Sequence, residues 1–244
     1  MNYVSKVLSG LIGFSLLFAS TSQADDVSDR ITAALLHPER EAEDQARDEL
    51  RKPLDTVAFI GIETGMSVLD VSAGGGWYSE VLAAAVGPEG RVVAQNNPRF
   101  ADRSAPALSA KIARYPQIES IVSDTEGYGL DGQMDAAWTA LNLHDPANRS
   151  RESGLRFLSA IYDSLKPGGL VAVIDHEGSP EYDNAELHRI DTASAVELLE
   201  AAGFVVEARS DVLDNPNDDH SLHMRDESLA RNTDRFLIRA RKPQ

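Results

Sequence analysis

The sequence DVSAGGG at residues 70–76 is the strongest indication of the fold of this 244-residue chain. An apolar run at residues 66–71 leads into it and predicts a buried strand, and residues 77–86 then have the pattern of a helix. Glycines at such a junction allow a tight turn and let a ligand approach the main chain. The first N–H groups of a helix are free to bind a carboxylate or a phosphate. The stretch therefore predicts a strand, a ligand-binding loop and a helix.

The same alternation continues to the end of the chain. The further predicted strands are 91–95, 118–123, 134–141, 170–175, 204–210 and 235–241, and the predicted helices are 104–114, 151–165 and 192–202, with a turn at 166–169. Such alternation predicts an α/β fold with a mostly parallel sheet and helices on both faces. Ligands bind such sheets at the carboxyl ends of the strands, so the residues there are the candidates for function.

Residues 1–24 have the layout of a secretory signal peptide. An uncharged apolar run at 7–20 follows Lys6, and Ser22 and Ala24 are the small residues that a signal peptidase recognises. The run is shorter than the roughly 20 residues that cross a membrane. An uncleaved N-terminal anchor is the alternative, and in both cases the body lies outside the cytoplasm. We therefore expect a periplasmic or secreted protein, without stable membrane insertion after signal cleavage.

Residues 25–60 predict an N-terminal helical extension, with helices at 27–36 and 39–52. The second helix is almost entirely polar, and helical spacing brings four of its charged residues together: Arg40, Asp44, Arg47 and Arg51. Two interpretations stay open for it. It is either a solvated helix with ion pairs among its own side chains, or a lid whose charges face a ligand.

The composition argues against several classes of function. The chain has 23 Lys and Arg against 39 Asp and Glu, and its formal net charge of −16 opposes binding to a phosphate backbone. We therefore expect no nucleic-acid partner. The absence of cysteine excludes disulfides, thiolate zinc sites and a cysteine nucleophile.

Two cofactor patterns compete for the glycine loop. A dinucleotide site requires G-x-G-x-x-G/A, whose last position is Ser79 here, and an acid where Asn96 stands. The pattern D-x-G-x-G-x-G fits better, although Ser72 replaces its first glycine, because it matches Asp70, Gly74 and Gly76. A loop that only packs a helix against a strand is the remaining alternative.

With this loop and the turn LKPGG at 165–169, the chain resembles class I S-adenosylmethionine-dependent methyltransferases over roughly residues 60–241. Four further stretches, AEDQARDELRKP, LHRID, NPNDDH and TDRFLIRARKP, resemble an exported branch of predicted methyltransferases. The resemblance implies a Rossmann-like sheet of seven strands in the order 3-2-1-4-5-7-6, whose last two strands form an antiparallel hairpin. It also implies a methyltransferase domain at 61–244, enzymatic activity, and S-adenosyl-L-methionine as the cofactor.

The resemblance further implies cofactor-binding roles for six residues. Asp70 would orient the loop, and Gly74 and Gly76 would pass beneath the methionine part, with Ser72 in the place of the family's first glycine. Asn96 would grip the ribose, and Asp124 would meet the adenine amino group. Hydrogen bonds to charged groups are about twice as strong as neutral ones, so the neutral amide of Asn96 should weaken the grip on the ribose.

Methyl transfer needs an aligned acceptor, and a base wherever the acceptor must lose a proton. The expected topology places five of the six histidines at the carboxyl edge of the sheet: His144, His176, His188, His220 and His223. An imidazole can accept a proton near neutral pH. We expect His144 or His176 to be the base, with Asp145 or Asp175 holding its ring, and the pair His188-Arg189 to bind the acceptor.

A divalent metal is the alternative chemistry at this edge. Candidate ligands lie there in Asn142, Asp145, Asp175, Asp218, Asp219 and His220. Because no tight ligand spacing such as H-E-x-x-H occurs, no metal is predicted.

The acceptor is expected to be a small or medium-sized molecule. After the fourth strand the chain reads NLHD at 142–145, rather than the N-P-P-Y-type motif of amide and adenine-amine methylation. The N-terminal helices and the loops 177–191 and 211–233 would then form its binding site.

The outward address conflicts with a cofactor that is made in the cytoplasm. Three hypotheses follow: an exported methyltransferase, a non-catalytic module that binds S-adenosylmethionine or a nucleoside, or a different ligand on the same scaffold. We favour the first, because the histidines and acids at the strand ends are typical of a working site.

Overall fold

The computed structural model describes residues 17–125 and 127–244, with side-chain burial from Asp26 onward. The first helix, α1 (Leu17–Leu35), begins inside the predicted signal peptide and continues past the expected cleavage point after Ala24. Residues 1–16 lie outside the described residues, and the signal peptide stays a prediction. Among the helices that the structure describes, none has the length and apolar content needed to cross a membrane.

Seven strands form one sheet in the order β3-β2-β1-β4-β5-β7-β6. Only β7 runs against its neighbours, which are β5 and β6, and the other pairs are parallel. The strands are β1 (Ser67–Val71), β2 (Arg91–Asn96), β3 (Ile118–Val122), β4 (Met134–Ala140), β5 (Leu165–His176), β6 (Val205–Ser210) and β7 (Arg235–Arg241). The predicted fold class, its strand order and the final antiparallel hairpin are confirmed.

Helices cover both faces of the sheet and form two hydrophobic cores. Helices α1, α4 and α5 pack on one face, and α8 and α10 on the other. Val68 enters the first core and Leu69 the second, because successive side chains of a strand point to opposite faces. The helices after α1 are α2 (Ala42–Gln45), α3 (Asp48–Arg51), α4 (Pro53–Ile60), α5 (Trp77–Val86), α6 (Pro98–Arg114), α7 (His144–Arg149), α8 (Arg151–Ser164), α9 (Asn184–Leu187) and α10 (Thr192–Ala201).

The prediction of one continuous helix at 39–52 is wrong. The structure contains two short helices there, α2 and α3, and a third, α4, that begins at Pro53. Lys52 between them has a left-handed backbone with φ of 43°, because a residue before proline avoids the right-handed helical region. Proline suits the first position of α4, where no N–H donor is needed.

The predicted turn at 166–169 is also different in the structure. These residues are an irregular part of β5, where the pairing with β4 shifts between Met134 and Ala136. The shift leaves the rest of β5 in continuous register, so the strand carries its last residues, Asp175 and His176, to the carboxyl edge of the sheet.

Candidate active site

The glycine loop joins β1 to α5 with three residues in left-handed conformations. Ser72, Gly74 and Gly76 have φ values of 54°, 57° and 81°. A Cβ added at Gly76 would lie 2.7 Å from the side chain of Leu108, so this glycine lets α6 pack closely. A Cβ at Gly74 would meet nothing within 4 Å. The main chain at Gly74 is therefore open to a ligand.

The end of β2 holds this loop in place. Asn96 accepts a hydrogen bond from the Gly74 amide at 2.8 Å and donates one to the Gly74 carbonyl at 3.0 Å. Gln95 accepts from the Ser72 amide through Oε1 at 2.9 Å and from the Ala73 amide through its carbonyl at 2.8 Å. The side-chain amide of Asn96, which is 4% exposed, has one N–H and one lone pair beyond these two hydrogen bonds.

Asp70 lies beneath the loop and is almost fully buried. It accepts a hydrogen bond from the Ser79 hydroxyl at 2.6 Å, which ties β1 to α5. Burial raises the pKa of Asp70 to about 7, against the hydrogen bond from Ser79 and the charge of Arg51. Asp124, at the expected adenine position, is exposed, with its Oδ1 atom 3.4 Å from Nδ2 of Asn97.

The N-terminal extension covers the glycine loop. Trp77 donates from Nε1 to the Asp44 carbonyl at 3.0 Å, and the buried Arg40 pairs with Glu80 of α5 at 3.0 Å. The Arg51 guanidinium lies over the Trp77 ring, 4.6 Å from its centroid. Of the two interpretations of this segment, the geometry favours the lid, since its cations face the loop.

Under this cover lies the glycine-loop pocket, a space of about 240 Å³ lined by the loop itself, by Arg47 and Arg51, by Trp77 and Tyr78, and by Asn142. The pocket opens beside the carboxyl ends of β1 and β4, where the fold places ligands.

His144 and Asp175 form a buried pair at the ends of β4 and β5. The His144 ring donates from Nδ1 to Asp175 Oδ1 at 2.7 Å, and its amide donates to Oδ2 at 2.9 Å. Burial opposes a charged imidazole, but the hydrogen bond and charge of Asp175 raise the pKa of His144 above its usual value. Burial likewise opposes the Asp175 carboxylate, and His144 outweighs it, so the pKa of Asp175 is lowered.

His176 lies next to this pair, with its ring centroid 5.7 Å from that of His144. Its Nδ1 atom is 2.6 Å from the Thr233 hydroxyl. Burial lowers the pKa of His176 to about 3, and the charges of His144 and Arg235 act in the same direction. His176 is therefore a neutral imidazole at ordinary pH.

His188 reaches the pair from the other side. Its backbone is left-handed, with φ of 52°, and its Nδ1 atom is 3.0 Å from Asp145 Oδ1. His144 Nε2 is 3.5 Å from the same oxygen. The ligand atoms of His144, Asp145 and His188 lie within 4.8 Å of one another, a spacing that a metal ion could occupy. The absence of a metal stays a prediction.

Two sequence-based candidates lie outside this site. Arg189 is fully buried and donates to both carboxylate oxygens of Asp218, at 2.9 and 3.0 Å, and to the carbonyls of Leu222 and Glu177. It therefore anchors the loop 211–233 instead of facing an acceptor. His220 binds Asp234, so its ring also serves that loop.

A larger cavity of about 760 Å³ adjoins the glycine-loop pocket, and the two share Arg47, Arg51 and Leu141 in their walls. We call it the acceptor cavity; its cationic and imidazole lining consists of Arg47, Arg51, His176, Arg225, Arg231 and Arg235. Arg225, Arg235 and Thr233 were not predicted from the sequence as site residues. The position of Arg235 could have been predicted, because β7 is antiparallel to β5 and pairs Arg235 with His176.

Comparison with known sequences finds one informative relative. No protein-family model matches the chain. It is similar to a sterol 24-C-methyltransferase of Gibberella zeae, with 28% identity over 140 residues. The match covers 57% of this chain and 35% of that protein, so the chain spans about a third of the length of this relative.

Solved structures share the fold over most of their length. A SAM-dependent methyltransferase from Aquifex aeolicus has a TM-score of 0.61 at 22% identity, covering 88% of this chain and 98% of that one. The cyclase SpnF has a TM-score of 0.61 at 18% identity, covering 89% and 93%. The names of these two proteins indicate different reactions, so at this identity the likeness establishes the class I methyltransferase fold alone.

Proposed function

We propose that the protein is an S-adenosylmethionine-dependent methyltransferase that acts on a small-molecule acceptor. The observation that carries this proposal is the adjoining pair of cavities at the carboxyl edge of the sheet, which share three wall residues. Transfer between two bound molecules requires such an arrangement, because the reacting atoms must come within about 3–3.5 Å. The similarity to a sterol methyltransferase supports the reaction class.

The residues around the glycine loop fit this cofactor. The open main chain at Gly74 admits a ligand, and the first N–H groups of α5 and the guanidinium of Arg51 suit a carboxylate such as that of its methionine part. When bound, S-adenosylmethionine supplies a methyl group on a sulfonium. Asn96 would hold the ribose with its remaining N–H and lone pair, and Asp124 would meet the adenine amino group.

We assign the role of base to His144, with Asp175 as the residue that positions it. Asp175 keeps the His144 proton on Nδ1 and leaves Nε2 to accept another. The raised pKa of His144 suits proton removal near neutral pH. His144 is nearly buried. A proton from the acceptor would therefore reach it indirectly, through the neighbouring ring of His176 or through one water molecule. His176 lines the acceptor cavity and would contact the acceptor.

We also propose that the protein works outside the cytoplasm, on the strength of the signal-peptide layout of residues 1–24. A fusion of residues 1–30 to a reporter that is active only after export tests this. Export should be lost when charged residues replace part of the apolar run at 7–20. Activity of the reporter that is independent of this run would contradict the proposal.

A non-catalytic binding module is the second candidate. It is favoured by the position of His144, the assigned base, which is nearly buried and lines neither of the two cavities. The two candidates differ in product, because an enzyme releases S-adenosylhomocysteine when it meets its acceptor and a module does not.

Calorimetric titration of the purified protein with S-adenosylmethionine, S-adenosylhomocysteine and NAD tests the proposal. We expect micromolar binding of the two adenosyl compounds and none of NAD. Gly74→Val should abolish binding, since its side chain would enter the open space.

Gly132→Val is the matched control. Gly132 also has a left-handed backbone, with φ of 63°, and open space around it, but it lies before β4 at the opposite edge of the sheet. Equal loss of binding in both variants, or no binding by the wild-type protein, would contradict the proposed function.

A further inference from the structure

We propose that the acceptor cavity binds an anionic acceptor, a small molecule with a carboxylate or a phosphate group. This inference rests on the proposed function and names its substrate class. It is carried by the arginines of the cavity, three of which, Arg51, Arg225 and Arg235, have no carboxylate partner among the described residues.

The charge of the cavity is opposite to that of the protein. The chain carries 39 acidic and 23 basic residues, yet five arginines and one carboxylate, Glu43, line the cavity. Two of the arginines, Arg47 and Arg231, pair with Glu43. The remaining cationic charge therefore comes from the other three.

Arg235 is the strongest evidence. It is 4% exposed, and within the described part of the chain its side chain makes one hydrogen bond, from Nε to the Thr233 carbonyl at 3.2 Å. Its neighbour Asp234 is engaged elsewhere, with His220 at 2.8 Å and with the Asn215 amide at 2.8 Å. Burial of a cation without a paired anion costs free energy, which a bound anion would offset. The lowered pKa of Arg235, caused by this burial, agrees with an unpaired site.

Arg225 supplies a second cation at the same cavity. It is exposed, and its side chain makes no hydrogen bond or ion pair with any residue that the structure describes. Guanidinium groups bind carboxylates and phosphates through two parallel N–H donors, which makes arginine the preferred residue for such ligands. Arg225 and Arg235 together can therefore hold one anionic group beside the imidazole of His176.

The position of Arg225 and Arg235 indicates that they bind the acceptor and not the cofactor. Arg47 and Arg51 line both cavities, so their charge is available to a cofactor carboxylate. Arg225 and Arg235 line the acceptor cavity and are absent from the wall of the glycine-loop pocket. Their charge is therefore directed to the second ligand.

The experiment compares three four-carbon probes of similar length and different charge: succinate, butanediol and putrescine, together with inorganic phosphate. Binding to the full chain is measured by calorimetry, with and without S-adenosylhomocysteine. We expect saturable binding of succinate or phosphate and none of butanediol or putrescine. The succinate and phosphate arms distinguish a carboxylate acceptor from a phosphorylated one.

Two variants test the residues. Arg225→Ala and Arg235→Met should each weaken binding of the anionic probe by at least about tenfold, which corresponds to about 1.4 kcal/mol. Arg91→Gln is the control. Arg91 is the first residue of β2, at the edge of the sheet opposite the cavity, and pairs there with Glu119, so this variant should leave the affinity unchanged. Arg225 is exposed, so its variant keeps the test valid if Arg235→Met fails to fold.

Binding of butanediol as tight as that of succinate, no binding of either anion, or unchanged affinity in Arg225→Ala would overturn the inference. S-adenosylhomocysteine separates this failure from that of the proposed function. If it binds the wild type and Arg225→Ala equally while both anions fail, the methyltransferase proposal stands and the anionic acceptor falls. If it does not bind at all, the proposed function falls, whatever the anions do.

Discussion

The carboxylate of Asp175 connects the ends of β4 and β5 in the candidate site. It accepts hydrogen bonds from the amide and ring of His144 and from the amide of His176, at 2.7 to 2.9 Å. A carboxylate can accept all three, whereas a neutral amide has one oxygen and an NH₂ group that is itself a donor. Asp175 therefore holds the backbone amides of His144 and His176 in place and fixes the position of the proton on the His144 ring.

Asp175→Asn should destabilise the protein by about 2–4 kcal/mol, because it leaves buried donors unsatisfied and faces one of them with another donor. Urea denaturation measures the change. Asp145→Asn is the control, since the Asp145 side chain is 60% exposed and its loss should cost about 1 kcal/mol or less. Equal losses in the two variants would show that Asp175 does not have this role.

His176 predicts how stability depends on pH. Its folded pKa, lowered to about 3, lies below the unfolded value of about 6.5, so the unfolded chain binds the extra proton. This contribution to stability is present above about pH 6.5 and is lost as pH falls, by up to about 1.4 kcal/mol per pH unit.

His176→Asn should remove that dependence. The free energy of unfolding of wild type and variant is measured at several pH values between about 5 and 7. The free energy of unfolding of the wild type should fall relative to that of the variant as the pH is lowered toward 5. His37→Asn, in the loop after α1, should follow the wild type. A constant difference between wild type and His176→Asn would refute this assignment.

At the scale of elements, the short helices α2 and α3 act as one cover for the junction of β1 and α5. Their attachment is ionic as well as apolar. Glu80 of α5 is 1% exposed and pairs with Arg40 at 3.0 Å and with Arg114 of α6 through its other oxygen. Asp44 pairs with the buried Lys111 of α6 at 2.6 Å. The cover therefore depends on α6 as well as on α5.

Glu80→Gln should cost about 1.5–3 kcal/mol of stability, since it removes the anion that the buried Arg40 shares with Arg114, while Arg40 keeps its pair with Asp48. It should also weaken binding of S-adenosylhomocysteine, because the cover carries Arg47 and Arg51 over the glycine loop. Thermal denaturation and calorimetry measure the two effects. Glu119→Gln, which breaks an exposed pair with Arg91, should change stability by less than about 1 kcal/mol and leave binding unaltered.

At the scale of the whole molecule, the arginine-lined cavity has a charge opposite in sign to the net charge of the chain. A chain whose net charge is −16 repels polyanions, while the arginines gathered around the acceptor cavity attract an anion that is small enough to enter it. The distribution favours a small anion over a nucleic acid.

The protein should accordingly show no mobility shift with duplex DNA or single-stranded RNA at roughly 50 mM salt, where cationic contacts are strongest. The anionic probe succinate should bind under the same conditions. A shift that disappears as salt is raised would contradict the prediction and place the arginines at a surface that reaches a phosphate backbone.

The sequence alone determined the fold class, since periodicity and the glycine loop are local properties of the chain. The boundaries of α5 and β7 followed directly from their apolar patterns, and the strand order followed from the family resemblance. The continuous helix predicted at 39–52 is interrupted at residues 46 and 47, between α2 and α3. Pro53 accounts only for the boundary between α3 and α4, because it keeps Lys52 out of the right-handed helical conformation.

Only the tertiary structure decided how the site is shared among elements. His144 and Asp175 are 31 residues apart, and nothing in their local sequence shows that Asp175 chooses His144 over His176. The structure likewise directs Arg189 to Asp218, and it leaves Arg235 unpaired beside His176. Side-chain pairing depends on which strand ends meet and how deeply each is buried, and those distances are set by long-range packing rather than by neighbours in sequence.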